Sequence, residues 1–386
     1  MKPPTRTIAS QPSWILQSAD TQAAITQLGG HLAPVTFFAD SDKPIEPYWI
    51  SPWQDEDVSF EDKWGCMAPC RGDFFCMPFG ANVEVVRGED HPGHGESASR
   101  EWMFADLSTD GKRHHLRLEM ETRVRKGKIV KDTFLVDGQP AVYQQNVLEG
   151  YSGSMPVGNH HTLALPEAHP ESVLVASSPI EFGMTNDGVF SDPAIGEYQS
   201  LAIGETFKSL SRVPTLWKTP KTTDCSKYPM RRGFADLLQI NQKPTGEVPA
   251  WVTASYTANG YLWFSFKDVA TLPSTVFWIE NHGRWSKPWH GRNCCLGLEN
   301  VCAHFADGLA RATRANKLNR AGVPTALKLT PETPTAVRVI QGVARTPKGF
   351  GKVEKVDFAP GRATFISGKK RASINVNWEF LQTGKV

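Results

Sequence analysis

Alternation of apolar and polar side chains dominates this chain, and helical spacing is scarce. From His115 to Val124, Leu116, Leu118, Met120, Thr122 and Val124 fall on one face, with Arg117, Glu119, Glu121 and Arg123 on the other. A period of two with one polar face predicts a half-buried antiparallel strand. Lys126–Gly127–Lys128 reads as a turn, Ile129 to Val136 as a second strand, Asp137–Gly138 as another turn and Ala141 to Leu148 as a third strand, together a meander. Further strands are predicted at Ser13–Gln17, Ala23–Gln27, Val252–Tyr256, Tyr261–Lys267, Val276–Glu280, Ala336–Val343 and Ala363–Ile366. One helix is predicted over Gly308 to Arg320, where Leu309, Ala312 and Leu318 mix with Arg311, Arg314, Lys317 and Arg320 before Gly322–Val323–Pro324 stops it. Short helices or 3-10 turns are predicted near Ser59–Lys63 and Met230–Leu237. The fold class is therefore mostly β: two or more large twisted sheets, packed or closed on themselves, with few short helices. Thr346–Lys352 is the best boundary, dividing a main domain, 1–347, from a β extension, 348–386, packed on the same domain.

Composition narrows the function classes. The chain has 386 residues, 40% of them hydrophobic, enough for a large core. Its 42 basic and 40 acidic residues leave no electrostatic footprint for nucleic acid or a membrane surface. No apolar run of about 18 residues predicts a membrane-spanning helix. Lys2 and Arg6 in the leading segment precede no apolar run, so no secretory signal is expected. The seven cysteines include no CxxC pair, which disfavours a zinc site; buried reduced thiols in a cytoplasmic protein are expected.

Four segments gather reactive side chains beside glycine, proline and aromatics. Arg71 to Asn82 (R-G-D-F-F-C-M-P-F-G-A-N) is either a core strand with a solvated end or a loop placing Arg71 and Asn82 beside aromatic walls. His91 to Trp102 sets two histidines around Pro92–Gly93, where glycines let backbone approach a ligand closely. Pro156 to Pro166 carries His160 and His161; neighbours on a strand point to opposite faces, so only one can face a given pocket. Pro288 to Asp307 carries Glu299 in an otherwise apolar strand. A carboxylate there is either bridged, to Arg284 or Arg292, or functional with a raised pKa.

In this order the segments resemble the aldose 1-epimerases and related galactose-mutarotase-like proteins. Pro78–Phe79–Gly80 is similar to the family's apolar run ending in proline, a bulky residue and glycine. His94–Gly95 with Arg100 and Trp102 resembles its "HG … R … W" element, Asn159–His160 its "NH" strand and Leu298–Glu299–Asn300 its late "LE" strand. Asn316 to Thr325 resembles the connection that follows. The resemblance spans Trp14 to Val343 and implies a large antiparallel β-supersandwich that binds a small carbohydrate, with oligomeric state (monomer or homodimer) left open. It implies mutarotation with Glu299 as base at the anomeric hydroxyl and His160 as acid at the ring oxygen, without metal or redox cofactor. His94 would support the ring, and Phe79, Trp102 or Trp289 would form an apolar wall. The family's arginine after the proline–glycine loop is replaced by Ala81–Asn82, so Arg71 is expected to substitute; Asp236 is the candidate for its sugar-binding aspartate. His161 would face out of the pocket, unless the register shifts by one and the two histidines exchange roles. A non-catalytic sugar-binding protein, or a lyase or isomerase for a modified or acidic sugar using Asn159–His160, with Arg71, Arg284 and Arg292 suited to its carboxylate or phosphate, are the competing readings.

Overall fold

The computed structural model describes residues 3–386; residues 1–2, and with them Lys2 of the leading segment, lie outside the described residues. Two large antiparallel sheets face each other. The nine-stranded sheet runs Lys227–Tyr228, Val173–Ser177, Ala250–Tyr256, Tyr261–Lys267, Thr335–Arg345, Gln139–Glu149, Gly127–Val136, Arg113–Thr122 and Met103–Asp110. The eight-stranded sheet runs Thr206–Phe207, Ile180–Thr185, Phe234–Gln242, Ser274–Asn281, Cys294–Cys302, Val157–Asn159 and Phe75–Cys76, with Thr162–Ala164 also paired to Cys294–Cys302. A four-stranded sheet, Thr5–Ile8 to Leu32–Phe37, packs into the same core.

Alternation decides what each sheet buries. Leu116, Leu118 and Met120 point inward from one sheet and meet Leu238, Ile240, Phe277, Ile279, Leu296 and Leu298 from the other. The opposite side chains of the eight-stranded sheet, among them Leu237, Val276, Trp278, Cys295 and Val301, build a second apolar cluster with Trp49, Trp53, Phe74 and Phe79. Both faces of this sheet are thus buried, which is why its strands read as continuous apolar runs.

The predicted strands are all present: Tyr261–Lys267 has the predicted bounds, the others differ by one or a few residues at one or both ends, and His115 to Val124 lies within Arg113–Thr122 but for its last two residues. Two helical expectations need correction. The segment Gly308 to Arg320 is two short helices, Leu309–Thr313 and Lys317–Arg320, because Asn316 turns its side chain onto the backbone N–H of Asn319 and starts a new helix. Met230–Leu237 is a turn leading into the strand Phe234–Gln242, whose two faces are both buried. The expected turn near Ser59–Lys63 lies slightly later, as the 3-10 segment Asp62–Met67.

After the boundary segment, Lys355–Ala359, Arg362–Ser367 and Lys370–Asn375 form a three-stranded sheet. Its Val356, Phe365, Ala372 and Ile374 cover Tyr143, Phe264, Phe266 and Ile340 on the outer face of the nine-stranded sheet. Phe365 is fully buried, with ring centroids 5.3 Å from Phe264 and 6.1 Å from Phe266. Phe365→Ala should lower the unfolding free energy in urea by about 3–5 kcal/mol. A loss below about 1 kcal/mol would mean that the extension is not coupled to the main sheet.

Candidate active site

The strand register brings two sequence-distant groups together. Asn159 pairs with Asn300 and Thr162 with Gly297. Carried through the intervening residues, this register sets His160 opposite Glu299 and His161 opposite Leu298; Leu298 N–H donates to the His161 carbonyl. Side chains alternate across the sheet. Glu299 therefore shares a face with Val276 and Trp278, whereas Leu298 and Phe277 enter the main core. His160 Nε2 lies 3.3 Å from Glu299 Oε1, and both residues are buried.

Each member is held by its neighbours. The His160 ring stacks on Phe74 (4.5 Å, 13°), which stacks on its other face against His31 (4.0 Å, 18°). His160 Nδ1 is 3.0 Å from Thr162 Oγ1. His94 stands edge-on to His160 at 4.9 Å. His94 and Gly95 both have positive φ, 58° and 80°, and a Cβ at Gly95 would meet the Met77 carbonyl oxygen at 1.9 Å, so glycine is required where this turn closes on the strand. On Glu299's side, a Cβ at Gly297 would fall 2.5 Å from Glu299 Oε1; the bare glycine leaves the carboxyl its place.

Burial controls the charge. It raises the Glu299 carboxyl well above the usual carboxylate range, with no cation near enough to oppose it. It lowers His160 well below the ordinary imidazole value, helped by the neighbouring His94. Burial also brings His94 down to about 4. Both shifts favour the uncharged forms, a carboxylic acid beside a neutral imidazole, with one proton between them. Cys66 and Cys70 line the same cavity, but burial pushes both thiols up, Cys66 to about 12, so neither offers a thiolate.

The cavity above the pair has a volume of about 520 Å³, within the range of small-molecule sites. Phe74, Trp278, Trp289 and Phe190 wall it, and His94, Asn186, Arg284 and Lys287 supply polar groups. Trp289 belongs to an indole cluster, parallel to Trp49 (6.3 Å, 8°) and edge-on to Trp278 (5.6 Å). His94 Nδ1, Asn186 Oδ1 and Arg284 Nε are buried without a protein partner.

Of the residues singled out from sequence, His160, Glu299, His94, Trp289 and Arg284 line this cavity and the others do not. Arg71 is instead a buried clamp: its guanidinium donates to the carbonyls of Pro69, Ile8 and Ala9 and to Gln54, tying down the first hairpin. Asn82 spends its amide on the carbonyls of Pro78, Gly80 and Pro92 and accepts from Leu309 N–H. Phe79 lies behind His94, edge-on at 5.4 Å. Trp102 sits in the main core, its indole N–H on the Ser97 carbonyl. His161 faces the inter-sheet core, 3.1 Å from the Leu298 carbonyl and 5.6 Å from Trp263. Asp236 accepts from Ser200 and Leu201 and binds a loop rather than a ligand. Glu299 bridges neither Arg284 nor Arg292; the latter pairs with Glu56. Sequence reasoning missed Phe74, Asn186, Phe190 and Trp278. Only Trp278 had a usable signal, as the large residue between two core-facing positions, Phe277 and Ile279.

No protein-family model matches the chain, and no curated protein matches it by sequence. Its fold is nevertheless shared with solved structures. A galactose mutarotase-like protein from Clostridium acetobutylicum superposes with a TM-score of 0.58 at 13% identity, covering 89% of this chain and 99% of its own. A candidate aldose 1-epimerase from Klebsiella pneumoniae gives 0.60 at 12% identity, covering 86% and 79%. A galactose mutarotase related enzyme from Lactobacillus acidophilus gives 0.53 at 12% identity, covering 86% and 97%. The chain thus has the β-supersandwich fold of the mutarotase-like proteins.

The buried carboxyl has a stability consequence. The unfolded chain ionises Glu299 near 4.5, whereas burial raises the folded chain's value well above it. Folding therefore becomes less favourable as pH rises above that value toward the raised one. Glu299→Gln removes this penalty, and its Tm should exceed that of the parent by a margin that widens between about pH 5 and pH 8. A Tm below the parent's throughout would mean that the carboxylate is ionised and stabilising.

Proposed function

We propose that the protein is a mutarotase that interconverts the α and β anomers of a sugar held in this cavity. The observation that carries the reading is the His160–Glu299 contact, 3.3 Å apart, buried at an aromatic-walled cavity. Anomer exchange requires a proton delivered to the ring oxygen and one removed from the anomeric hydroxyl. The ring opens, the C1–C2 bond rotates and closure on the other face reverses both transfers. A pair sharing one proton has the right inventory. A polar sugar entering the site favours the tautomer with the proton on His160, leaving Glu299 as base at O1 and His160 as acid at the ring oxygen. His94, neutral, supports the ring, and Trp278 and Trp289 cover its apolar face. This chemistry needs neither metal nor redox cofactor. We read residues 348–386 as an extension of the same domain, and the seven buried, unpaired thiols as fitting a reducing, cytoplasmic setting.

Polarimetry on freshly dissolved α-glucose, α-galactose and glucose 6-phosphate tests the reading. The parent should accelerate anomer exchange with at least one of the three, and His160→Ala and Glu299→Gln should each lose about 10²–10⁴-fold. Full activity in Glu299→Gln would remove the base assignment; sugar binding without acceleration by the parent would make this a binding protein. The pH profile should be broad. Its acid limb lies below the ordinary imidazole value of 6.5, because a second proton must enter a histidine that burial has lowered. Its alkaline limb lies above the usual carboxylate range, where Glu299 loses the shared proton.

A further inference from the structure

Arg284 differs from the other arginines near the site. Arg71 is spent on backbone carbonyls and Gln54, and Arg292 on Glu56. Among the described residues Arg284 has no ion pair and no side-chain hydrogen bond. Its guanidinium lies over Phe190 at 4.8 Å and Trp289 at 5.8 Å, half-buried in the cavity wall, with Nε unpartnered. Two buried carboxylates serve its loop instead. Glu280 accepts the backbone N–H groups of Gly283 (2.9 Å) and Arg284 (3.1 Å). Glu197 accepts those of Trp285 (2.8 Å) and Ser286 (2.9 Å) and the Ser286 hydroxyl. Both feel the Arg284 charge through space, yet neither contacts the guanidinium. The loop is therefore pinned through its backbone while its cation is left over. Lys287, exposed at the mouth of the cavity, is likewise in no ion pair among the described residues.

The remaining ionisable groups of the wall do not offset these cations. Burial lowers His94 and His160 and raises Glu299, each toward its neutral form. Asp307 is 2.8 Å from His304 Nδ1 and 3.9 Å from Arg311. We propose that the cavity selects an anionic sugar, Arg284 and Lys287 holding its carboxylate or phosphate while the ring lies against His160 and Glu299. This rests on the reading of the cavity as a sugar site. A guanidinium stacked on aromatic rings is weakly hydrated and presents a planar fork that fits either oxyanion.

Calorimetric titration of the full chain with D-glucuronate, D-glucose 6-phosphate and D-glucose tests it. At least one anion should bind about 10–100-fold tighter than glucose, the strength of a hydrogen bond to a charged group; which one identifies carboxylate or phosphate. Arg284→Gln should abolish that preference and Arg292→Gln, outside the cavity, should keep it. Arg284→Lys covers the case in which the glutamine variant does not fold, and should retain part of the preference. Equal binding of all three sugars, or a preference that survives in Arg284→Gln, overturns the proposal. Repeating the titration in Glu299→Gln separates the two readings: an Arg284-dependent preference there, with no anomer exchange by the parent, sinks the mutarotase and leaves the anion site, whereas exchange without preference does the reverse.

Discussion

His160, between two short strands, faces Glu299 on the strand that both pair with, walled by aromatic rings and with no other ion-pair partner for either among the described residues. Placing an acid and a base there is costly: each burial disfavours its charged form, and the contact is tolerated because one proton neutralises both. The two-sheet core sustains this cost. The strand carrying Glu299 turns Leu296 and Leu298 to the other side, where they lock into the main core with Phe277 and Ile279. A slip of one residue would drive the carboxyl into that core and the leucines into the cavity, so hydrophobic burial itself fixes the register of the site.

A buried polar network reinforces this arrangement from behind. Gln341 bonds Asp73, Gln144 and Tyr48, and Tyr48 in turn accepts from the Trp263 indole. Asn159 donates to Asp73. Asp73 and Asn159 immediately precede Phe74 and His160 in the chain. The network therefore anchors the backbone of both rings in the stacked pair and spans from the four-stranded side to the nine-stranded sheet. Satisfied polar groups in a low-dielectric core give orientation more than stability. The Arg71 clamp has a similar place one layer further out.

Similarity of about one residue in eight to the superposed structures is enough for the architecture, because two large sheets with apolar facing sides can be built from many sequences. It does not carry the polar complement of the cavity. Here Arg284 and Asn186 come from loops at the rim, whereas Glu299 lies on a strand and His160 in the two-residue break between Val157–Asn159 and Thr162–Ala164. Rigid strands suit groups that must meet within a few tenths of an ångström, and loops suit groups that choose among ligands.

Period-two alternation, turn residues and apolar runs were sufficient for the β class, for several of the longer strands and for the meander, since these depend on which side of a strand a residue faces. Glu299 was legible for a related reason: a lone carboxylate in an apolar strand has no structural excuse without a partner. The short helices were less so, because Asn316 competes locally with continued helix through its own side chain. Arg71, Asn82, Trp102 and Asp236 looked like site residues beside glycine and proline, yet their polar atoms are consumed by backbone groups brought from other parts of the chain. Conversely Phe74, Phe190 and Trp278 look ordinary in sequence and come to line the cavity through long-range pairing. Sequence alone determined which residues could be buried and which could move a proton; only the tertiary structure decided which of them meet, because the strand register and the competition of backbone carbonyls for donors are settled between segments far apart in the chain.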